Sequence, residues 1–272
     1  MPILSLDTST QVSSVAVLKE GRLAAEITMQ AKLTHSETLL PHIEQALRMA
    51  GVKKEELTGI AVSIGPGSFT GLRIGLAAAK AMSYALRIPI VGVPSLEALA
   101  LHYRVPGVTI FALMDAQKKN VYVEQLAWQR EGSDLALAVQ SPVKVQPLAD
   151  VLAEVGKLAA VGQTVVLVGD IVQKRFAGKD GRRAGKMQLP DGVLLPPPEL
   201  VLPRASHVAW LGAERLAKGE ADNVMDLEPI YIRKSEAELL WAKHHADDEN
   251  TVVDNEKTLA ADEAHGRREV SR

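Results

Sequence analysis

The chain has no cysteine in its 272 residues. That excludes a disulfide framework, a thiol nucleophile and a thiolate metal site, and it fits a reducing compartment. Aromatic residues are scarce at 4%, whereas hydrophobic residues reach 47% and charged residues 24%; the balance suits a soluble α/β protein with an Ala/Val/Leu core. Formal net charge is −2 and the pI about 6.4, so no global basic field draws the chain to nucleic acid or anionic membrane. No uncharged run reaches the ~18 residues of a membrane span. The opening MPILSLDTST has neither the basic region nor the long apolar core of a signal peptide, and a cytoplasmic location is expected. The histidines stand at 35, 42, 102, 207, 244, 245 and 265, with no two spaced three or four apart, so a helical metal-binding pair is missing. His35 and His42 are about two helical turns apart, too far to share one ion. Neither a metal nor a cofactor is expected.

What is present is a stretch of unusual composition, SIGPGSFTGLRIGLAAAKAMSYAL, from Ser63 to Leu86. It reads as strand, tight loop and helix. Gly67, Gly71 and Gly75 continue as Ala79 and Ser83, one small residue every fourth position along one helix face. Glycine inside a helix costs roughly 1 kcal/mol against alanine, so close approach of another backbone is the expected reason. That backbone could belong to the chain's own sheet or to a partner. A phosphate loop is the third reading, but GPGSFTG lacks the Gly-Lys-Ser/Thr ending of a P-loop.

In chain order, Ile3 to Asp7 is an apolar strand closing on a carboxylate, followed by Ser14–Leu18 and, after the turn Glu20-Gly21, a strand from Arg22 to Gln30. Together they predict an antiparallel meander. Thr34-His35-Ser36-Glu37 has capping-box spacing before a helix carrying Leu39, Leu40, Ile43, Ala46, Leu47 and Ala50, stopped by Gly51 and kinked near Glu37 by Pro41. Beyond Val105-Pro106-Gly107 the pattern restarts: Thr109 to Asp115 again closes on Asp, and Asn120 to Trp128 is its hairpin partner. This suggests an internal duplication, 108 residues from Asp7 to Asp115. A helix near Leu148–Leu158, a strand at Thr164–Val168, a basic segment at Gly178–Lys186, a Pro196–Pro198 spacer and a helix from Arg204 to Lys218 follow. The last 31 residues hold only Val252, Val253, Leu259 and Val270 as large aliphatics. They read as a disordered charged tail, in which His244-His245 is solvated rather than metal-bound.

Two halves that each open with strand, Asp and hairpin resemble the duplicated actin/Hsp70/sugar-kinase ATPase architecture, a ribonuclease H-like fold. The resemblance implies two mixed-sheet subdomains, 1–106 and 107–241, with the tail at 242–272. It places Asp7, Thr8, Ser9, Thr10 and Asp115 at the phosphate- and metal-gripping loops. Ser9 stands where the kinases have glycine, and no glycine pair follows Asp115. Both loops therefore lose backbone freedom to wrap a phosphate, and the loops are expected to be vestigial.

Within that superfamily the chain closely resembles the TsaB (YeaZ) family of bacterial tRNA-modification proteins. The likeness rests on LSLDTST, HSETLLPHIEQAL, SIGPGSFTGLRIGLAAAKA, VPSLEALA, MDAQKKNVY and EPIYIRKSE and covers about residues 1–236. Gln117 stands where an arginine is expected after Asp-Ala. The resemblance implies a non-catalytic partner of the TsaD transferase, which moves threonylcarbamoyl to N6 of adenosine in tRNAs reading ANN codons. The TsaE ATPase joins that pair, tRNA is met only through the complex, and the chain alone is a homodimer. It also implies a docking surface made of His35, Leu39, Leu40, Pro41, Ile43 and Leu47 on one helix and Phe69, Gly71, Leu72, Gly75, Leu76, Ala79 and Ser83 on the other. An ATPase or small-molecule kinase of the same fold is the alternative. A metallopeptidase lacks a ligand pair.

Overall fold

The computed structural model describes residues 1–30, 35–176, 188–197 and 202–232. Ten strands fall into two five-stranded sheets among these residues. The first is built from β1 (Ile3–Asp7), β2 (Val12–Lys19), β3 (Arg22–Gln30), β4 (Gly59–Gly65) and β5 (Ile90–Pro94), in the order β3-β2-β1-β4-β5. The second is built from β6 (Val108–Asp115), β7 (Asn120–Glu131), β8 (Asp134–Pro147), β9 (Thr164–Val168) and β10 (Val193–Leu194), in the order β8-β7-β6-β9-β10. The two orders are the same. In both, three antiparallel strands form a meander and the first of them pairs in parallel with the next strand along the chain. This is the duplicated actin-like fold that the repeated strand-Asp-hairpin pattern predicts.

Two helices cover one face of the first sheet. α1 (His35–Ala50) turns Leu39, Ile43, Ala46 and Leu47 onto Leu4, Leu6, Val15 and Val17, and α2 (Phe69–Leu86) adds Leu76 and Ala79 to that core. Pro41 lies inside α1, which continues through it as one helix; a proline costs the bond to the carbonyl four residues back. Thr34 of the expected capping box lies outside the described residues. α2 starts on Ser68, whose Oγ accepts from Gly71 N at 3.2 Å, and ends on Arg87 in the left-handed region at φ 55°.

The second sheet carries α4 (Leu148–Ala160) and α5 (Asp170–Phe176), while α3 (Ser95–Ala100) links the halves and packs Leu96 and Leu99 against Ile110, Met114 and Trp128. The sequence reading leaves out β8. Its apolar positions are broken by Gln140, Ser141 and Pro142, and its pairing with β7 slips in register around Gln125, so period-2 alternation fails there.

One helix from beyond the expected division at residue 106 packs against the first half. The last described helix, α6 (Ala205–Ala217), returns to the first sheet, where Val208 and Ala209 pack with Ile3, Ala61, Val91 and Val93. Gly212 allows the approach, because a Cβ there would collide with the Ala61 methyl. The first half is therefore sandwiched between α1–α2 and a helix from the far end of the chain. The segments expected at 178–186 and 242–272 lie outside the described residues.

Candidate functional site

β1 ends on Asp7, and the next residues form a closed loop. Asp7 Oδ1 accepts from Ser9 N at 2.9 Å and Ser9 Oγ at 2.7 Å, and Thr10 Oγ1 accepts from Val12 N at 3.1 Å. These side-chain-to-backbone bonds two residues apart are the turn chemistry of Asp and Thr. The chain reproduces the first at the start of its second half, where Asp115 Oδ1 accepts from Gln117 N at 2.8 Å.

What lies over the first loop is α2. Ser68 N donates to Ser9 O at 2.6 Å, and Thr8 Oγ1 donates to Gly71 O at 2.8 Å. A Cβ at Gly67 would strike Ser9 O, one at Gly71 would strike Thr8 O, and one at Gly75 would strike Thr8 Oγ1. From the other side, His35 of α1 contacts Thr10 O through Nε2 at 2.7 Å. Exposure falls to 1% at Asp7, 0% at Thr8, 1% at Ser9 and 8% at Thr10. A carboxylate so enclosed has no face left for a phosphate or its metal unless the loop opens.

Burial pushes the Asp7 carboxyl above its usual range; the Ser9 hydroxyl and N–H, the Ser63 hydroxyl and the charge of His35 oppose it. Ser63 Oγ is near enough to favour the charged form, yet it is not aligned to bond. Neither it nor Asp7 Oδ2 has a hydrogen-bond partner among the described residues.

This geometry turns much of the expected docking surface inward. The small-residue stripe of Gly71, Gly75, Ala79 and Ser83 does serve a close backbone approach, but to the chain's own Thr8-Ser9 loop and core. Leu39, Ile43, Leu47, Leu72 and Leu76 are buried with it, because they are the apolar faces that hold two amphipathic helices to a sheet. Ser83 Oγ donates to Ile88 O at 2.6 Å, and His35 is bound to the loop. Of the residues named from the sequence, Leu40 at 62% and Pro41 stay exposed and Phe69 is half-buried. The outward faces also present Met49 at 61% and Tyr84 at 71%, and Ala77 and Ala81 are exposed on α2. For Tyr84, Ala77 and Ala81 the helical phase, opposite the buried stripe of α2, is the signal that would have found them.

The second loop is more exposed than the first. Asp115 is half-exposed, its N–H donates to Asp170 Oδ1 at 3.2 Å, and Gln117, Lys118 and Lys119 are exposed. These three adopt φ of 63°, 52° and 70° in succession. The missing glycines were expected to deny this loop left-handed backbone; instead it pays the cost, roughly 1–2 kcal/mol per residue, in a compact turn closed by Asn120 N on Gln117 O at 2.9 Å.

Other titratable groups lie inside the fold. His102 and His207 meet edge to face at 4.4 Å between ring centroids, bound to Leu202 O at 2.9 Å and Ala98 O at 3.0 Å. Burial, with His102 and Arg204 nearby, pushes His207 down to about 3. On β7, burial and the neighbouring Glu97 push Glu124 up to about 7. Among the described residues no group of three or more His, Asp or Glu could hold a metal ion, and no helix is long and apolar enough to cross a membrane.

Comparison with known proteins places these features in one lineage. Residues 26–241 match the family described as TsaD, tRNA N6-adenosine threonylcarbamoyltransferase. The tRNA threonylcarbamoyladenosine biosynthesis protein TsaB of Bacillus subtilis (strain 168) is 29% identical over 246 residues, covering 89% of this chain and 98% of that one. The TsaB protein of Escherichia coli (strain K12) is 29% identical over 245 residues, with the same coverage. Among solved structures, YeaZ from Pseudomonas aeruginosa superposes with a TM-score of 0.63 at 26% identity, covering 85% of this chain and 99% of that one. Sequence and fold agree along nearly the whole of these relatives, and the chain belongs to the TsaD family of threonylcarbamoyl-transfer proteins, in its TsaB (YeaZ) branch of tRNA threonylcarbamoyladenosine biosynthesis.

Proposed function

We propose that this protein is a non-catalytic subunit of tRNA threonylcarbamoyladenosine synthesis, which docks onto a TsaD-type transferase and acts with a TsaE-type ATPase. The observation that carries the reading is the closure of the Asp7–Thr10 loop under α2. An actin-like ATPase needs an open loop to hold phosphate and metal, whereas here the loop is buried beneath α2 and hydrogen-bonded to it. Catalysis then belongs to the partner, and this chain supplies a surface.

That surface is the outward side of α1 and α2, where Leu40 and Met49 are exposed on α1 and Tyr84, Ala77 and Ala81 on α2. Apolar side chains beside small ones suit helix-on-helix packing. The same face would pair two copies when the partner is missing, and tRNA is met through the complex, in the cytoplasm.

The experiment is reconstitution. Purified TsaD-type and TsaE-type subunits, the threonylcarbamoyl-adenylate synthase and tRNA are assayed with and without this chain, and modification is expected to collapse when it is omitted. Modification that continues unchanged overturns the reading. Titration of the isolated chain with Mg·ATP separates it from the kinase alternative: tight binding, below micromolar, would favour an ATPase of the same fold.

A further inference from the structure

Two cations on α2 are used in different ways. Lys80 Nζ donates to Met225 O and to Leu227 O, both at 3.0 Å, and so pins the segment after α6 along the helix. Arg73, two turns earlier, is held by aromatic rings. Its guanidinium carbon sits 3.9 Å from the centroid of the Phe69 ring and 5.6 Å from that of Tyr231, its Nε donates to the Tyr231 hydroxyl at 2.8 Å, and the two rings are themselves 5.1 Å apart. Tyr231 is fixed in turn by its neighbour, since Ile230 N donates to Ile64 O at 2.7 Å.

A guanidinium carries five N–H donors in a planar fork. One is spent on Tyr231. Among the described residues no carboxylate lies within ion-pair distance of Arg73, and its Nη atoms have no partner there. The side chain is exposed, on the same outward face of α2 as Ala77 and Ala81. An exposed arginine ordinarily loses rotamer entropy when it is immobilised at an interface; here stacking and the Nε bond have fixed the fork beforehand, in the geometry that accepts a carboxylate through two parallel bonds.

We infer that Arg73 is a preorganised receptor for one carboxylate side chain of the protein that docks on α1 and α2. The inference rests on the docking reading above and adds the chemistry that the partner must bring: an acidic residue opposite the first turns of α2. An RNA phosphate fits less well. Gripping a phosphate backbone takes several cations, whereas Thr70 and Ala77 beside Arg73 are neutral and Lys80 is committed to two carbonyls.

Calorimetric titration of the full-length chain with the TsaD-type subunit, at two salt concentrations, tests this. Arg73→Gln should weaken Kd by roughly 10- to 100-fold and flatten its salt dependence. Arg73→Lys should restore only part of the loss, because an ammonium cannot fork. Tyr231→Phe, which keeps the ring and removes the hydroxyl, should have a smaller effect. Thermal melts of each variant check that the fold is kept.

Unchanged affinity and salt slope in Arg73→Gln overturn the inference, as does a loss confined to tRNA binding. Ala81→Glu, on the same face but away from the guanidinium, separates the two levels. If it abolishes binding while Arg73→Gln does not, the docking face stands and the carboxylate receptor falls. If neither changes binding, both fall.

Discussion

Thr8 Oγ1 donates to Gly71 O at 2.8 Å, and the same oxygen occupies the space a Cβ at Gly75 would need. One hydroxyl therefore ties the β1 loop to α2 and fixes the identity of position 75 on the helix. This makes the stripe testable without any partner.

Gly75→Ala should destabilise the isolated chain by ~1–3 kcal/mol, and most of that cost should vanish in a Thr8→Ala background, because the colliding atom is then gone. Gly71→Ala meets the Thr8 backbone carbonyl instead, so Thr8→Ala should not rescue it. Urea unfolding of the single and double variants gives both coupling energies. Equal coupling at the two glycines would contradict the packing described.

Asp7 has a raised pKa in the fold, so its unfolded state gives up the proton first. The contribution of the group is full below the unfolded value and is lost as pH rises through the folded one. Asp7→Asn keeps the acceptor used by Ser9 and removes the charge. It should be more stable than the parent at pH 8, with the advantage shrinking toward pH 4, as read from melting temperatures across that range.

Glu124 and His207 bracket the stability optimum from opposite sides. Glu124, pushed up to about 7 from 4.5, loses its favourable contribution as pH rises between those values; Glu124→Gln should recover up to ~3 kcal/mol at pH 8 and little at pH 4. His207, pushed down to about 3 from 6.5, loses its contribution as pH falls from 6.5. His207→Gln should therefore flatten the acid limb of the stability curve. Denaturant midpoints measured at half-unit pH steps resolve the two limbs.

On the outer face, Tyr84→Asp should leave the monomer's stability within about 0.5 kcal/mol, since the ring is 71% exposed. It should weaken docking to the TsaD-type subunit by more than tenfold if the side chain sits in the centre of the contact. Co-purification and calorimetry with the same preparation measure both quantities.

Much of the fold was legible because its signals are local. Strands closing on Asp7 and Asp115 announce the duplication, and the Gly-Pro-Gly turn ahead of a Gly- and Ala-rich run marks the passage from β4 into α2. The site was legible as a position, but not by what its small-residue face packs against. Spacing shows that Gly71, Gly75, Ala79 and Ser83 share a helix face, but it does not say what that face meets; the answer lies in Thr8, more than sixty residues away. The left-handed run at 117–119 escaped for the opposite reason, because lysine and glutamine give no warning of positive φ. β8 escaped because its register slip hides the alternation.

α6 also has a bearing on how the protein is made. Ile3, Ala61, Val91 and Val93 are complete as a sheet face long before Val208 and Ala209 exist to cover it. During synthesis, roughly half the chain must emerge with that apolar face bare, and the structure closes only when the last described helix returns to the first strands. Contacts this distant in sequence slow folding and leave the nascent first half exposed to aggregation. A fragment ending near residue 106 should therefore need a chaperone or precipitate, and the two halves, though copies in topology, should not be separable as independent folding units.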